Sequence, residues 1–420
     1  MGPLFPSARW HTLGRFGIDA CMLPPRVAAL LLAGLLGALA SPEAHAQIEK
    51  LPRPDTIEAA SFGISVAIDD SIAVVGASGA SVCGTDAGAV FVYERHPGPL
   101  VTSWTLTARL VPRPCQADTF FGADVALSGS RLLVSASSED FLGEGENAAY
   151  VFERSGDVSW QQTARLTGRR DRQEGLFAAG VALDGDRTAV TTSGNSDGAH
   201  SGSVYVFEYD STTAQWTRTA RLRGRHSSES GVLGGDVALD GPHLAVAAST
   251  FFEREPGSAY VFRHDPTTDR WREDAHLTGI DAFLIDLDLH GSTLLVGENR
   301  ARDEASGAAS VYTRSDSTWT RSTTLRPSIP YESGAFGSAV SVNDQWALVT
   351  GYDEQLGNEI NIDRVVYVFR RQTEGAWREQ TILDIGTVHF GAALDLDDRI
   401  ALIGSVPENE SGTAHITWVP

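Results

Sequence analysis

The chain has 420 residues, of which 42% are hydrophobic, and a formal net charge of −21 at pH 7. This hydrophobic content excludes a chain that is disordered throughout, and the length exceeds that of an ordinary single domain, so several domains or one large repeat structure is expected. A surface this acidic repels nucleic acid and anionic membranes, and we predict neither as a partner.

The first element in chain order is a predicted secretory signal peptide, residues 1–46. It contains three arginines, then an uncharged run from Val27 to Ala40, then the small-x-small sequence Ala44-His45-Ala46. These are the basic, apolar and cleavage regions of an export signal, and the apolar run is shorter than the ~20 residues that span a bilayer. We therefore expect residues 47–420 to be secreted, periplasmic or attached to the cell surface, with no transmembrane segment.

Residues 47–420 consist of seven copies of one unit. The first six copies each have four short runs rich in Val, Leu, Tyr and Phe, separated by polar or Gly-containing turns, which is typical of β-strands. The copies are 50 to 59 residues apart, and this period predicts an all-β fold, a seven-bladed β-propeller of four-stranded blades. The residues that mark the copies are Phe62-Gly63, Phe121-Gly122, Phe177-Ala178, Leu233-Gly234, Phe283-Leu284, Phe336-Gly337 and Phe390-Gly391.

A tryptophan opens the fourth strand of six copies, and an aromatic phrase such as Tyr205-Val206-Phe207 ends the third strand. Large aromatic side chains at a fixed position in every copy belong to the core more often than to a ligand site, so we assign them to packing between blades. The tryptophans are Trp104, Trp160, Trp216, Trp271, Trp319 and Trp377.

The seventh copy has only three strands, the last of which runs from Ala414 to Trp418. A candidate for the missing strand lies at the start of the mature chain, because Ile48 to Pro54 matches Ala108 to Pro114 at the end of the first copy. We predict that residues 47–52 pair with the last blade and close the ring. Closure of this kind removes open sheet edges that would otherwise invite aggregation.

The unit reads Phe-Gly-x-x-Val-Ala-Leu-Asp-Gly, Leu-Ala-Val-Gly-Ala, Gly-x-x-Tyr-Val-Phe and Trp, and this pattern resembles the FG-GAP repeat. That family includes the N-terminal propeller of integrin α subunits and many exported bacterial proteins. The resemblance implies a binding or adhesion role, frequently with calcium in Asp-rich loops between the first two strands. Here those loops are tight turns such as Asp240-Gly241, whereas calcium takes six to eight oxygens, so we predict no cofactor and keep bound calcium as an alternative.

Two cysteines, Cys83 and Cys115, remain after removal of the signal. In a four-stranded blade, the connection between strands two and three lies on the same face as the connection to the next blade. Cys83 lies in the first kind of connection and Cys115 in the second, both in the first copy. We predict a disulfide between them in an oxidising compartment, with two free thiols as the alternative.

The same face carries the most acidic loops, and we predict that it holds the ligand. A solvated acidic rim without a ligand is the alternative. The candidate contacts in these loops are Asp140, Glu144, Asp197 and Asp353.

Three further candidates, Asp124, Asp236 and Asp286, share one position at the start of the innermost strand. We expect them to converge on the central channel, where gathered carboxylates bind a cation or raise one another's pKa. Alternatively, neighbouring backbone N–H groups hold them in place. In the first case the carboxylate oxygens contact a cation or one another, and in the second they accept hydrogen bonds from backbone N–H groups.

No catalytic or zinc-binding set is predicted. The sequence Gly194-Asn195-Ser196-Asp197-Gly198 lacks the strand-to-helix context of a nucleophile elbow, and the histidines show no metal-ligand spacing. We therefore favour a noncatalytic binding or adhesion propeller that contacts a protein or glycan through its acidic loop face. The alternatives are an extracellular hydrolase or lyase with acid/base residues at the channel mouth, and a calcium-stabilised structural module.

Overall fold

The structure is a computed structural model that describes most of residues 48–420. The described ranges are 48–54, 59–98, 102–137, 147–156, 159–168, 177–192, 202–225, 231–250, 256–282, 285–299, 306–330, 336–358, 361–387, 389–406 and 411–420. The predicted signal peptide, residues 1–46, lies outside them. None of the described residues forms a helix long and apolar enough to cross a membrane.

The described residues form seven four-stranded antiparallel sheets arranged in a ring. Strand β1 is Glu49–Lys50. The strands of blades 1 to 4 are β2 (Ala59–Asp69), β3 (Ile72–Ala80), β4 (Ala89–His96) and β5 (Ser103–Leu110); β6 (Val125–Ser128), β7 (Arg131–Ala136), β8 (Ala148–Ser155) and β9 (Ser159–Leu166); β10 (Phe177–Asp184), β11 (Arg187–Thr192), β12 (Ser203–Asp210) and β13 (Gln215–Leu222); β14 (Gly231–Asp240), β15 (His243–Thr250), β16 (Gly257–Asp265) and β17 (Arg270–Ile280).

Blades 5 and 6 continue this order, and blade 7 takes three strands from the end of the chain and one from its beginning. Their strands are β18 (Leu287–His290), β19 (Thr293–Glu298), β20 (Ala308–Ser315) and β21 (Thr318–Leu325); β22 (Val340–Val342), β23 (Trp346–Asn358), β24 (Asn361–Arg371) and β25 (Trp377–Leu383); β26 (Phe390–Asp397), β27 (Ile400–Ser405) and β28 (Thr413–Trp418), with β1. The predicted seven-bladed propeller is confirmed.

The middle strands of each blade are buried on both faces, which explains why they lack the alternating pattern of a half-exposed sheet. All nine residues of β3 are buried, for example. The predicted packing role of the tryptophans follows from the same stacking. Trp104 of blade 1 lies in one buried cluster with Ile400 and Leu402 of blade 7, and Trp160 of blade 2 packs in the same way against blade 1.

The repeated glycines allow the backbones of neighbouring blades to make close contact. The marker glycine of one blade lies against the second strand of the preceding blade. A Cβ atom added to Gly76 would lie 2.2 Å from the carbonyl oxygen of Gly122, and one added to Gly297 would lie 2.0 Å from that of Gly337. Both distances are far below van der Waals contact, so only glycine allows the backbones to approach this closely.

Strand β1 pairs antiparallel with β28 and closes the ring, as predicted. Glu49 lies opposite Ile416, and the Leu51 amide donates a hydrogen bond of 2.9 Å to the carbonyl oxygen of Ala414. The register, however, differs by one residue from the sequence alignment, which placed Lys50 at the position of Leu110. Leu51 takes this buried position instead. A shift of one residue exchanges the two faces of a strand, and the predicted register would have buried the Lys50 ammonium group.

Candidate functional site

The first strands of the blades surround a central channel of about 380 Å³. Five aspartates line it, and they are half-buried. Asp124, Asp236 and Asp286, the three carboxylates predicted from the sequence, do converge here. Asp288 and Asp395 join them, and both were missed.

Strand periodicity explains why two positions of the repeat reach the channel. Successive side chains of a strand point to opposite faces, so residues two apart share a face. Asp288 follows Asp286 by two residues in blade 5, and Asp395 occupies the same second position in blade 7. Each stands between two leucines, and this isolated charge in an apolar strand is the signal that could have found them.

Each channel carboxylate accepts a hydrogen bond from the first strand of the following blade. The first strand is an edge of its sheet, so every second N–H group points away from the sheet and needs another acceptor. The carboxylate of the preceding blade supplies one. The bonds run from Val181 N to Asp124 Oδ2 (2.7 Å), Leu287 N to Asp236 Oδ2 (2.7 Å), Val340 N to Asp286 Oδ2 (2.7 Å), Val342 N to Asp288 Oδ2 (2.7 Å) and Ile68 N to Asp395 Oδ2 (2.6 Å).

The tight turns between the first two strands are joined between blades in the same way. At five blade boundaries, the last residue of a first strand accepts a hydrogen bond from the first turn residue of the next blade, so the four aspartates at these strand ends are engaged by backbone N–H groups. The bonds run from Gly129 N to Asp69 Oδ2, Gly185 N to Ser128 Oγ (3.0 Å), Gly241 N to Asp184 Oδ2 (2.7 Å), Gly291 N to Asp240 Oδ2 and Asp70 N to Asp397 Oδ2 (2.6 Å).

These turns do not fit the calcium loops that the family resemblance implies. Their carboxylates bond to backbone amides, and calcium needs six to eight oxygens around one point. Among the residues that the structure describes, no group of three or more His, Cys, Asp or Glu side chains is arranged to hold a metal ion.

Loss of bulk water raises the pKa of the channel carboxyls. It raises the pKa of Asp124 to about 7, that of Asp395 to about 7 and that of Asp236 to about 6, in spite of the hydrogen bonds from backbone N–H groups. The pKa of Asp286 lies well above its usual range and that of Asp288 is also raised, in each case mainly by burial. Neighbouring aspartates add to the shifts, because like charges disfavour ionisation.

Cys83 and Cys115 form a disulfide with a Cα–Cα distance of 5.9 Å. It joins the connection between β3 and β4 to the connection between blades 1 and 2. Backbone hydrogen bonds run beside it, from Asp118 N to the oxygen of Thr85 (2.8 Å) and from Phe120 N to that of Asp86 (2.9 Å). The two connections therefore form one stapled unit on the predicted ligand face.

Replacing both cysteines with serine is expected to lower the free energy of unfolding by about 3 to 4 kcal/mol, because the disulfide closes a chain loop in the unfolded state. Urea unfolding of the two proteins at one pH measures the difference. The wild-type protein in reductant is the control and should match the double variant. A loss below about 1 kcal/mol would show that hydrogen bonds between the two connections suffice without the staple.

Three of the four remaining predicted ligand contacts fall on residues that the structure does not describe. Asp140, Glu144 and Asp197 lie outside the described residues. Asp353 lies in β23, where its backbone is opposite Asp363 of β24. A ligand-binding role of these four residues stays a prediction.

The two ends of the propeller differ in the length of their connections. At one end, the first and second strands of each blade are joined by turns of two or three residues. Interblade contacts cover this end, for example Arg131, which donates to Glu153 of its own blade and to Asp186 of blade 3. At the other end, the connections include 81–88, 137–147, 193–202 and 326–339. We call this second end the long-loop face.

Comparison with protein families agrees with this geometry. Residues 46–93 and 104–152 match the model of the FG-GAP repeat family. These two segments are FG-GAP repeats. The first FG-GAP match covers β1 to β3 and most of β4, and the second covers β6, β7 and most of β5 and β8, so each includes one marker glycine, Gly63 or Gly122. No curated protein matches the chain.

Solved structures are similar to the seven-bladed ring in fold. A Bacteroides uniformis protein named as a 6-phosphogluconolactonase has a TM-score of 0.51 and 12% identity over 77% of this chain and 85% of that one. Saccharomyces cerevisiae Sqt1 has a TM-score of 0.47 and 9% identity, over 85% of this chain and 83% of its own. At such identities, the likeness of the first supports the propeller fold and says nothing about activity.

Proposed function

We propose that this protein is an exported, noncatalytic binding propeller that holds a protein or glycan ligand on its long-loop face. The observation that carries the proposal is the difference between the two ends of the ring. One end consists of short turns occupied by contacts between blades, and the other carries long connections on a rigid scaffold. Binding groups concentrate on such loops, because the scaffold holds them in place while their sequence is free to vary.

The hydrogen bonds of the channel carboxylates support a noncatalytic role. Both oxygens of Asp124 accept backbone N–H groups, from Val125 at 2.9 Å and from Val181 at 2.7 Å, and Asp236 is held in the same way. A general acid or base must reach a substrate proton directly or through one water. Carboxylates that already join two blades are less suited to this work than carboxylates with an open oxygen.

The stapled unit of blade 1 supports the choice of face. The disulfide and the backbone bonds beside it order two connections before any ligand arrives. Ordering of loops costs free energy when it happens during binding, and a face that is already ordered avoids part of this cost. The acidic residues of the long-loop face favour a partner with a basic surface, or a glycan that hydrogen-bonds to carboxylates.

A binding screen of residues 47–420 against glycans and surface proteins, with and without calcium, tests the proposal. For any ligand found, replacing Asp140, Glu144, Asp197 and Asp353 with the corresponding amides should weaken binding at least tenfold. The matched control removes four exposed acidic side chains at the short-turn end, and it should leave affinity unchanged. The control substitutions are Asp70→Asn, Asp186→Asn, Asp269→Asn and Asp344→Asn. Binding that survives the first set and is lost with the second would overturn the choice of face.

A further inference from the structure

The central channel concentrates acidic side chains. Among its described lining residues, five are aspartates and none is lysine, arginine or histidine. The other side chains that line it are mostly small or aliphatic, such as Ala67, Ala182 and Ala393. Full ionisation therefore places five like charges around one channel of about 380 Å³.

The same five side chains join the blades at the axis of the ring. Each one connects its own blade to the first strand of the next, so the contacts span the boundaries between blades 2 and 3, 4 and 5, 5 and 6, and 7 and 1. Any repulsion among the carboxylates acts across these boundaries. The charge of the channel therefore affects the stability of the contacts between blades.

We propose that protonation of the channel aspartates stabilises the ring. The propeller is then most stable in mildly acid solution and less stable towards neutral pH. This property is independent of the ligand that the long-loop face takes. It identifies the channel as a pH-sensitive element of the fold.

The direction follows from proton binding in the two states. A carboxyl whose pKa is higher in the folded chain than in the unfolded chain binds more protons when folded, so its contribution to stability is complete below pH 4. The contribution is lost as the pH rises through the folded values, which are about 6 for Asp236 and about 7 for Asp124 and Asp395. The fall is therefore expected between pH 4 and pH 8.

Other titratable groups near the channel come from the ends of the same strands. Asp69, Asp184, Asp240 and Asp397 stand at the short-turn mouth of the channel, on β2, β10, β14 and β26. The charge of His290, on β18, lowers the pKa of Asp288. Arg131 and Arg187 also reach this end of the ring, where they donate hydrogen bonds to the carbonyl oxygens of Gly185 and Gly241. The described lining residues of β22 carry no titratable side chain.

Two histidines contribute in the opposite direction, because burial lowers the pKa of both His243 and His415. Burial lowers the pKa of His415 to about 4, so its contribution makes the protein more stable as the pH rises. His415 lies on β28, the third strand of blade 7, opposite Lys50 of β1. Both histidines are unchanged in all the variants below, and their contributions cancel when the pH profiles are compared.

The test is the unfolding equilibrium of residues 47–420 in urea from pH 4 to pH 8, for the wild type and three variants. Asp124→Asn removes one channel carboxyl, and the unfolding constant should then rise with pH less steeply, by up to about tenfold per pH unit near pH 5. Ala182→Asp adds a sixth carboxyl at the lining position of blade 3 that corresponds to Asp288 of blade 5, and it should steepen the rise. Asp184→Asn is the matched control, because this carboxylate makes the same kind of interblade bond at the mouth.

The proposal stands if the two channel variants change the slope in opposite directions while the control shifts the whole curve without changing its slope. It is overturned if wild type and Asp124→Asn share one slope, since the pH dependence would then come from the general acidity of the surface. If Asp124→Asn fails to fold, Ala182→Asp decides alone, and an unchanged or flatter slope in that variant overturns the proposal.

Discussion

Replacing Gly337 with alanine is expected to lower the free energy of unfolding by about 3 kcal/mol, the combined cost of a left-handed backbone and of overpacking. Gly337 has φ +92, and a Cβ atom there would lie 2.3 Å from the carbonyl oxygen of Ala308 and 2.8 Å from the amide nitrogen of Glu298. Both atoms belong to the backbone of blade 5, so relief requires blades 5 and 6 to separate. Urea unfolding measures the loss.

The matched control for this prediction is Gly291→Ala. Gly291 also has a positive φ, +57, but no atom lies within 4 Å of the added Cβ. This variant carries only the backbone cost, about 1 kcal/mol. If the two alanine variants lose equal stability, the contact between blades contributes nothing, and the marker glycine is present for its backbone conformation alone.

Truncation of Leu51 to alanine is expected to cost about 3 kcal/mol, within the range for large-to-small substitutions in a core. Leu51 is 1% exposed and belongs to one buried cluster with Phe62 of blade 1 and Ile416 of blade 7. It therefore anchors the strand that closes the ring, and thermal or urea unfolding of residues 47–420 reports the loss.

Lys50→Ala is the control for the closure prediction. Lys50 is exposed and lies opposite His415, so its truncation should change stability by about 0.5 kcal/mol or less. A larger loss in Lys50→Ala than in Leu51→Ala would restore the register that the sequence alignment suggested. The pair of variants thus tests a shift of a single residue.

The repeat made the fold predictable because it is encoded locally. Each copy carries its own strands, turns and marker, and seven copies of a four-strand unit that cannot bury its faces alone must stack on one another. The predicted strands therefore coincide with the observed blades, and Trp104 and Trp160 pack between blades. The closing strand was recognised for the same reason, since Ile48 to Pro54 repeats the end of the first copy.

The candidate site was only partly predictable. Asp124, Asp236 and Asp286 were found because alignment of the copies places them in one column. Asp288 and Asp395 occupy a different column, and their approach to the channel follows from the face of the strand on which they lie. The partner of each carboxylate is an amide of the next blade, 57 residues away in the case of Asp124 and Val181.

The sequence by itself determined the number of blades, the order of strands within them and the strand that closes the ring, because period, composition and turn residues act over short stretches of chain. Only the tertiary structure decided the register of Leu51 against β28, the joining of blades by channel carboxylates and the raised pKa values of those carboxyls. These properties depend on which amide of an edge strand contacts which side chain across a blade boundary, and on how far each carboxyl is removed from water. Both are fixed only when the seven blades close into a ring.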